Sequence, residues 1–195
     1  YNADAAIPEY NKEKAAELLE EAGLTKDSDG NYLTVTMATF NLDPFTNIAQ
    51  IMQANLKEVG INLVINTMDQ GAFMELGTSG EGYDMYAMGG QVGPDPSMFF
   101  HRIGTGGMMN FSKYSNEEVD SLFAEAAGMT DQEKRGECYK KIQEICAEDF
   151  IIVPLSEDIG INVYKDYLTN LPYDTAIEKA AQTEMTYVTF TRDPF

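Results

Sequence analysis

Residues Leu33–Met68 read LTVTMATFNLDPFTNIAQIMQANLKEVGINLVINTM, and this stretch decides the fold. Leu33, Val35 and Met37 alternate with Thr34 and Thr36, the two-residue period of a half-buried strand. From Pro44 to Val59 the period changes: Ile48, Ile51, Met52, Leu56 and Val59 fall on one helical face. Asp43 is expected as its N-cap and Pro44 as its first helical residue. Gly60 ends the helix and Ile61–Met68 returns to strand. Strand, helix and strand with short joins form a βαβ unit, which imposes parallel pairing and a right-handed crossover.

The flanks extend the same alternation. Tyr10–Gly23 is an expected helix with Ala15, Leu18, Leu19 and Ala22 on its apolar side, Asn11 at its start and Gly23 at its end. The run Lys26–Asn31 is a turn. Its Asp27, Asp29 and Asn31 fail as a calcium loop, because Tyr32 and Ala38 stand where glycine and glutamate would be needed. Gln70–Leu76 is a short helix and Tyr83–Met88 a third strand. Two helices follow Tyr114, each read as opening on a capping box, Ser115 to Glu118 and Thr130 to Glu133. Val119, Leu122, Phe123 and Ala126 face inward in the first, and Cys138, Ile142, Ile145 and Cys146 in the second. Phe150–Leu155 and Ile159–Tyr164 read as strands, Thr175–Gln182 as a helix and Met185–Phe190 as a strand, the tail beyond residue 171 being the least regular part. The expectation is one α/β domain over residues 1–195.

The formal net charge of −19 excludes classes of partner. Phosphate neutralisation needs clustered Lys and Arg, so no nucleic acid is expected, and an anionic lipid surface is equally disfavoured. The sequence opens Tyr1-Asn2-Ala3-Asp4, with neither an initiator Met nor a basic and apolar leader, and reads as a processed product or a fragment. Cys138 and Cys146 lie about 12 Å apart along one expected helix, beyond the roughly 7 Å a disulfide spans, so they do not bridge each other. No Cys or His cluster has metal-ligand spacing, no Gly-x-Ser-x-Gly elbow occurs, and His101, the single histidine, has no marked partner. No catalytic residue, metal or cofactor is expected.

The regular pattern dissolves between Gly89 and Tyr114. Glycines open a loop at the carboxyl end of the third expected strand, the place where open α/β sheets bind ligands. Backbone N–H and C=O groups reach a ligand there without obstruction by side chains. Asp95, just ahead of Pro96, is positioned to cap a following helix through Phe99 and Phe100. Methionines cluster around the loop at Met85, Met88, Met98, Met108 and Met109, either filling core gaps or forming an adaptable contact surface.

The order of short motifs resembles the C-terminal lobe of peptide/nickel-type solute-binding proteins, family 5. The helix Tyr10–Gly23 resembles the one that opens that lobe, and Asp29-Gly30-Asn31-Tyr32-Leu33 is like the turn into its first strand. Ala49–Ile65 is similar to the family's Q-x-x-L-x-x-x-G-I-x-V segment. Tyr83-Asp84-Met85 with Asp95-Pro96, Tyr114 to Asp120, Asp131-Glu133-Arg135 and Pro154-Leu155 continue the agreement from about Ile7 to Leu171. The resemblance implies a periplasmic-binding-protein-like (type II) lobe with a mixed, mostly parallel sheet flanked by helices. It also implies an extracytoplasmic location, periplasmic or membrane-anchored as a lipoprotein, and delivery of a peptide-like or other small solute to an ABC importer. The implied partners are the solute, an N-terminal lobe of the same protein and the permease subunits. The implied ligand-binding residues are Phe40, Asn41, Gly89, Gly90, Gln91, Val92, Gly93, Asp95, Asn110, Phe111 and Tyr114. Dipeptide-binding members carry an arginine, an aspartate and a tryptophan where this chain has Ala38, Gly93 and Gly90, so a free dipeptide is not the expected ligand. A glycan- or peptide-acting hydrolase and a surface adhesion or signalling module are the alternatives.

Overall fold

A computed structural model describes residues 2–90, 93, 95–156, 163, 165–169 and 189–190. The chain divides into two compact units, Tyr1–Gln91 with Ser97–Ile152, and Val92–Pro96 with Val153–Phe195.

The first unit is built on the βαβ stretch. Strand β1 (Leu33–Phe40) pairs in parallel along its whole length with β2 (Ile61–Met68), Leu33 opposite Ile61 and Phe40 opposite Met68. On its other side β1 pairs in parallel with β3 (Met85–Ala87), shorter than the sequence suggests. The strand order is therefore β2-β1-β3. Helix α2 (Asp43–Glu58) connects β1 to β2, and α3 (Gln70–Ser79) connects β2 to β3. The first connection runs from the central strand to one edge, and the second runs back across it to the other edge, in the opposite direction. Right-handed crossovers place their helices on opposite faces of the sheet.

Side-chain alternation fills both faces. Met37, Leu63 and Ala87 point toward α2 and pack with Ala49, Met52 and Leu56. Ala38, Phe40 and Tyr86 point the other way and pack with Phe73 of α3 and with Phe111. The α2 face differs from the expected one, since Ile51 is 62% exposed while Ala49 is fully buried. The small Ala49 side chain lets the helix sit close to the sheet, and this turns Ile51 outward. The α2 cap also differs. Asp43 is the first helical residue, and Leu42 occupies the cap without a side-chain hydrogen bond.

Helix α1 (Lys12–Glu21) starts where Asn11 accepts from the Lys14 amide, but none of its residues is buried, and Leu18 is exposed. Asp27 accepts from the amides of Asp29 and Asn31 at 2.9 Å each, which makes that segment a polar turn.

The region after β3 folds as a 3-10 turn (Pro96–Phe99) running into α4 (Phe100–Ile103). Helices α5 (Glu117–Ala127) and α6 (Gln132–Glu148) then pack around Val119, Phe123, Ile142 and Ile145, with Ile103 in the same cluster. Each cap lies one residue later than its box predicted. Asn116 accepts from the amides of Glu118 and Val119, and Asp131 from those of Glu133 and Lys134. In both pairs the later residue carries the oxygen that reaches the second and third helical amides. Cys138 and Cys146 are free thiols on α6, and burial raises both above the usual thiol range, Cys146 to about 11.

The expected strand Phe150–Leu155 does not form. Residues 151–156 carry no ladder, and Ile152, Val153 and Leu155 are 39%, 49% and 50% exposed. Pro154 lacks the amide a ladder needs, and an apolar run alone does not supply a partner strand. In the second unit β4 (Leu168–Thr169) pairs antiparallel with β5 (Thr189–Phe190), the latter being the end of the expected strand Met185–Phe190. The remainder of that strand, the strand Ile159–Tyr164 and the helix Thr175–Gln182 lie outside the described residues, apart from Val163. Among the described residues no helix is long and apolar enough to cross a membrane.

Candidate functional site

The β2-β1-β3 order makes the junction of β1 and β3 a topological switch point. Helices α2 and α3 cover opposite faces of the sheet, and in open α/β sheets the place for a ligand crevice is beyond the carboxyl ends of the strands at such a point. Phe40 and Asn41 end β1 on one side of this junction, and Met88, Gly89 and Gly90 follow β3 on the other. The register that pairs Thr39 with Ala87 brings them level, and Thr39 Oγ1 closes the pair by donating to the Ala87 carbonyl at 3.2 Å. Asn41 is exposed, and its amide donates to the Met68 carbonyl at 2.8 Å. Gly89 and Gly90 are both exposed.

Aromatic rings form the floor. Phe40 meets Phe45 of α2 edge to face at 5.2 Å between centroids, and Phe73 at 4.3 Å. Phe73 meets Phe111 at 6.0 Å, and Tyr86 meets Phe111 at 5.8 Å. Gly89 lies directly on Phe45, whose Cζ would be 3.2 Å from any Cβ at that position. The mouth of the crevice is therefore peptide backbone over a packed aromatic layer, an arrangement suited to gripping a ligand by hydrogen bonds and stacking.

The sequence-predicted residues divide three ways. Phe40, Asn41, Gly89 and Gly90 come together at the switch point. Phe111, 2% exposed, lies beneath them as part of the floor. Asn110, 5% exposed, has its side chain fully used by its own loop: it donates to the Gly104 and Tyr114 carbonyls and accepts from the Tyr114 amide and the Ser112 hydroxyl. It fixes the turn that delivers Phe111. Tyr114 packs instead against the α5–α6 cluster and donates its phenol proton to the Asp149 carboxylate. Gly93 and Asp95 belong to the second unit, and Gln91 and Val92 lie outside the described residues. Ala38, aligned with the dipeptide binders' arginine, is 1% exposed and packed among Phe73 and Phe111.

Burial, and after it the hydrogen bond to Asp149, pushes the Tyr114 phenol up to about 12. The unfolded phenol ionises near pH 10, so the folded state holds the proton longer. Tyr114 is therefore expected to leave stability untouched below about pH 10 and to lower it progressively between about pH 10 and pH 12. Denaturant melts at successive alkaline pH values should show a shallower decline for Tyr114→Phe than for the wild type.

Sequence reasoning missed Phe45, Phe73, Tyr86 and Arg102. The Arg102 side chain of α4 reaches back to Gly90, where a Cβ would sit 2.9 Å from Arg102 Nη2. One signal was present in the sequence: Arg102 is the single Lys or Arg between Lys57 and Lys113. Among the described residues no group of three or more His, Cys, Asp or Glu side chains is placed to hold a metal ion.

The peptide transport periplasmic protein SapA of Salmonella typhimurium is 26% identical over 170 residues, covering 85% of this chain and 31% of SapA. The structure of the oligopeptide-binding protein AppA from Bacillus subtilis in complex with a nonapeptide superimposes with a TM-score of 0.65 at 26% identity, over 77% of this chain and 32% of that one. The periplasmic binding protein DppA from Helicobacter pylori in complex with the peptide STSA gives 0.67 at 28% identity, over 80% of this chain and 30% of that one. The chain thus spans less than a third of the length of each of these relatives. Residues 1–111 match the model described as bacterial extracellular solute-binding proteins, family 5 Middle, and the chain belongs to that family, with its type II periplasmic-binding-protein-like architecture.

Proposed function

We propose that this chain is part of the ligand-binding lobe of an extracytoplasmic solute-binding protein. In this reading a second lobe of the same protein closes over the β1–β3 crevice, traps a peptide-like or other small solute, and presents it to an ABC permease. Phe40, Asn41, Gly89 and Gly90 supply the wall and Phe111 its floor, while the whole of residues 1–195 serves as one C-terminal lobe. It acts by binding and not by catalysis. The observation that carries the reading is the pairing of exposed glycine backbone with an aromatic floor at the switch point. Such a surface grips a chain-like ligand through groups common to all peptides. The bound peptides in the AppA and DppA structures support peptide as the solute class.

Native mass spectrometry of the full-length protein from its own host is the test. The protein is expected to carry a small non-covalent solute that mild activation releases. Protein that never carries one, together with turnover in a screen of glycosides and peptides, would overturn the proposal. The 195-residue chain by itself supplies one wall of the crevice. It is expected to show no micromolar affinity by calorimetry for a solute that the full-length protein retains.

A further inference from the structure

Arg102 stands in an unusual position for a cation of this chain. It is partly buried and lies across Gly90 at the carboxyl end of β3; burial raises the Tyr86 phenol above its ordinary range, and Ser112 and the Arg102 charge offset part of that rise. Arg102 makes no ion pair with a carboxylate among the described residues. A chain with 32 acidic side chains has no shortage of partners, so an unpaired guanidinium at the crevice is left available. Gly90 keeps that access open. Its φ of +146° is a conformation that favours glycine, and a Cβ there would lie 2.9 Å from Arg102 Nη2, so a side chain would require the guanidinium to shift.

We infer that Arg102 is an anion anchor of the crevice, placed to pair in fork geometry with a carboxylate of the solute. This rests on the solute-binding reading and adds a specificity-determining residue to it. The net charge of −19 opposes a multiply charged anion such as a phosphate ester. It favours a carboxylate on a solute whose overall charge is zero or positive, such as a peptide with a free C-terminus. The planar, permanently charged guanidinium suits a planar two-oxygen group better than a lysine ammonium would.

The test uses the full-length protein, freed of endogenous solute by unfolding and refolding, with two probes. In the first, arginine side-chain ¹⁵N resonances are followed during titration with acetate and, separately, acetamide. Acetate is expected to shift the Arg102 signal saturably and acetamide to leave it in place. In the second, a pool of random tetra- and pentapeptides is offered as free acids and as C-terminal amides. The wild type is expected to favour the acids by about tenfold, the scale of one charge-assisted pair. Arg102→Gln should erase that preference, and Arg102→Lys should keep part of it. An Arg102 signal indifferent to acetate, or a wild type that binds acids and amides equally, overturns the anchor, and neither result depends on any variant folding. Acetate binding at Arg102 in a protein that takes no peptide upholds the anchor and removes peptide as the solute class.

Discussion

Replacing Phe73 by alanine should cost this chain about 3–5 kcal/mol of folding free energy, the range for emptying a buried aromatic site. Phe73 is 1% exposed and touches Phe40, Tyr86 and Phe111, so it joins α3, two strands and the loop after α4. No neighbour can slide into the space without moving the sheet. A domain has roughly 5–15 kcal/mol in hand, so a large share of its stability would go. The expected drop in melting temperature is roughly 10 °C. Phe73→Leu keeps an apolar group of similar reach and should recover much of the loss. Met108→Ala, at a side chain 76% exposed, should change stability by less than about 0.5 kcal/mol. If Phe73→Ala melts like the wild type, the aromatic floor is not the joint described here.

The second large effect is expected at Asn110. Its amide nitrogen donates to Gly104 O at 2.9 Å and Tyr114 O at 2.8 Å, in a site that is 5% exposed. Asn110→Asp keeps the shape but replaces those two donated bonds with an oxygen facing two carbonyl oxygens. The cost at neutral pH should be about 3–5 kcal/mol, two buried acceptors left unmet plus a buried charge. The sign with pH follows from linkage. Such a carboxyl holds its proton more tightly folded than unfolded, so the deficit is smallest below about pH 4 and grows as pH rises. Denaturant melts of variant and wild type side by side at about pH 4 and pH 7 read this directly. An equal deficit at both would mean that the side-chain amide does not organise the loop.

Local pattern made much of this fold legible. The alternation in Leu33–Met37, the helical period after Asp43 and the glycine at position 60 gave the βαβ unit with its parallel pairing, and the glycine-rich exit from β3 pointed to the crevice. What failed was information that local sequence does not hold. Phe150–Leu155 has strand composition, but a strand exists only with a partner, and none pairs with it among the described residues. Ile51 and Ala49 are both apolar, and the closeness of α2 to the sheet decides which of them is covered. Chain direction alone places Phe40, Gly89 and Gly90 together at the carboxyl ends of β1 and β3. Phe45, Phe73 and Arg102 were missed because each contributes through a contact across a turn or a crossover. Asn110 was read as a ligand contact since a polar residue in an irregular loop looks the same whether it faces a ligand or holds the loop together.

The central claim is that the carboxyl ends of β1 and β3 form the wall against which a solute is held. Amide hydrogen exchange of the full-length protein, with its own solute bound and after the solute has been removed, tests this at single segments. Solute is expected to slow exchange at the amides of residues 41 and 89–90 while leaving the α5–α6 pair unchanged. Protection that appears elsewhere in this chain, with residues 89–90 exchanging at the same rate in both states, would contradict it.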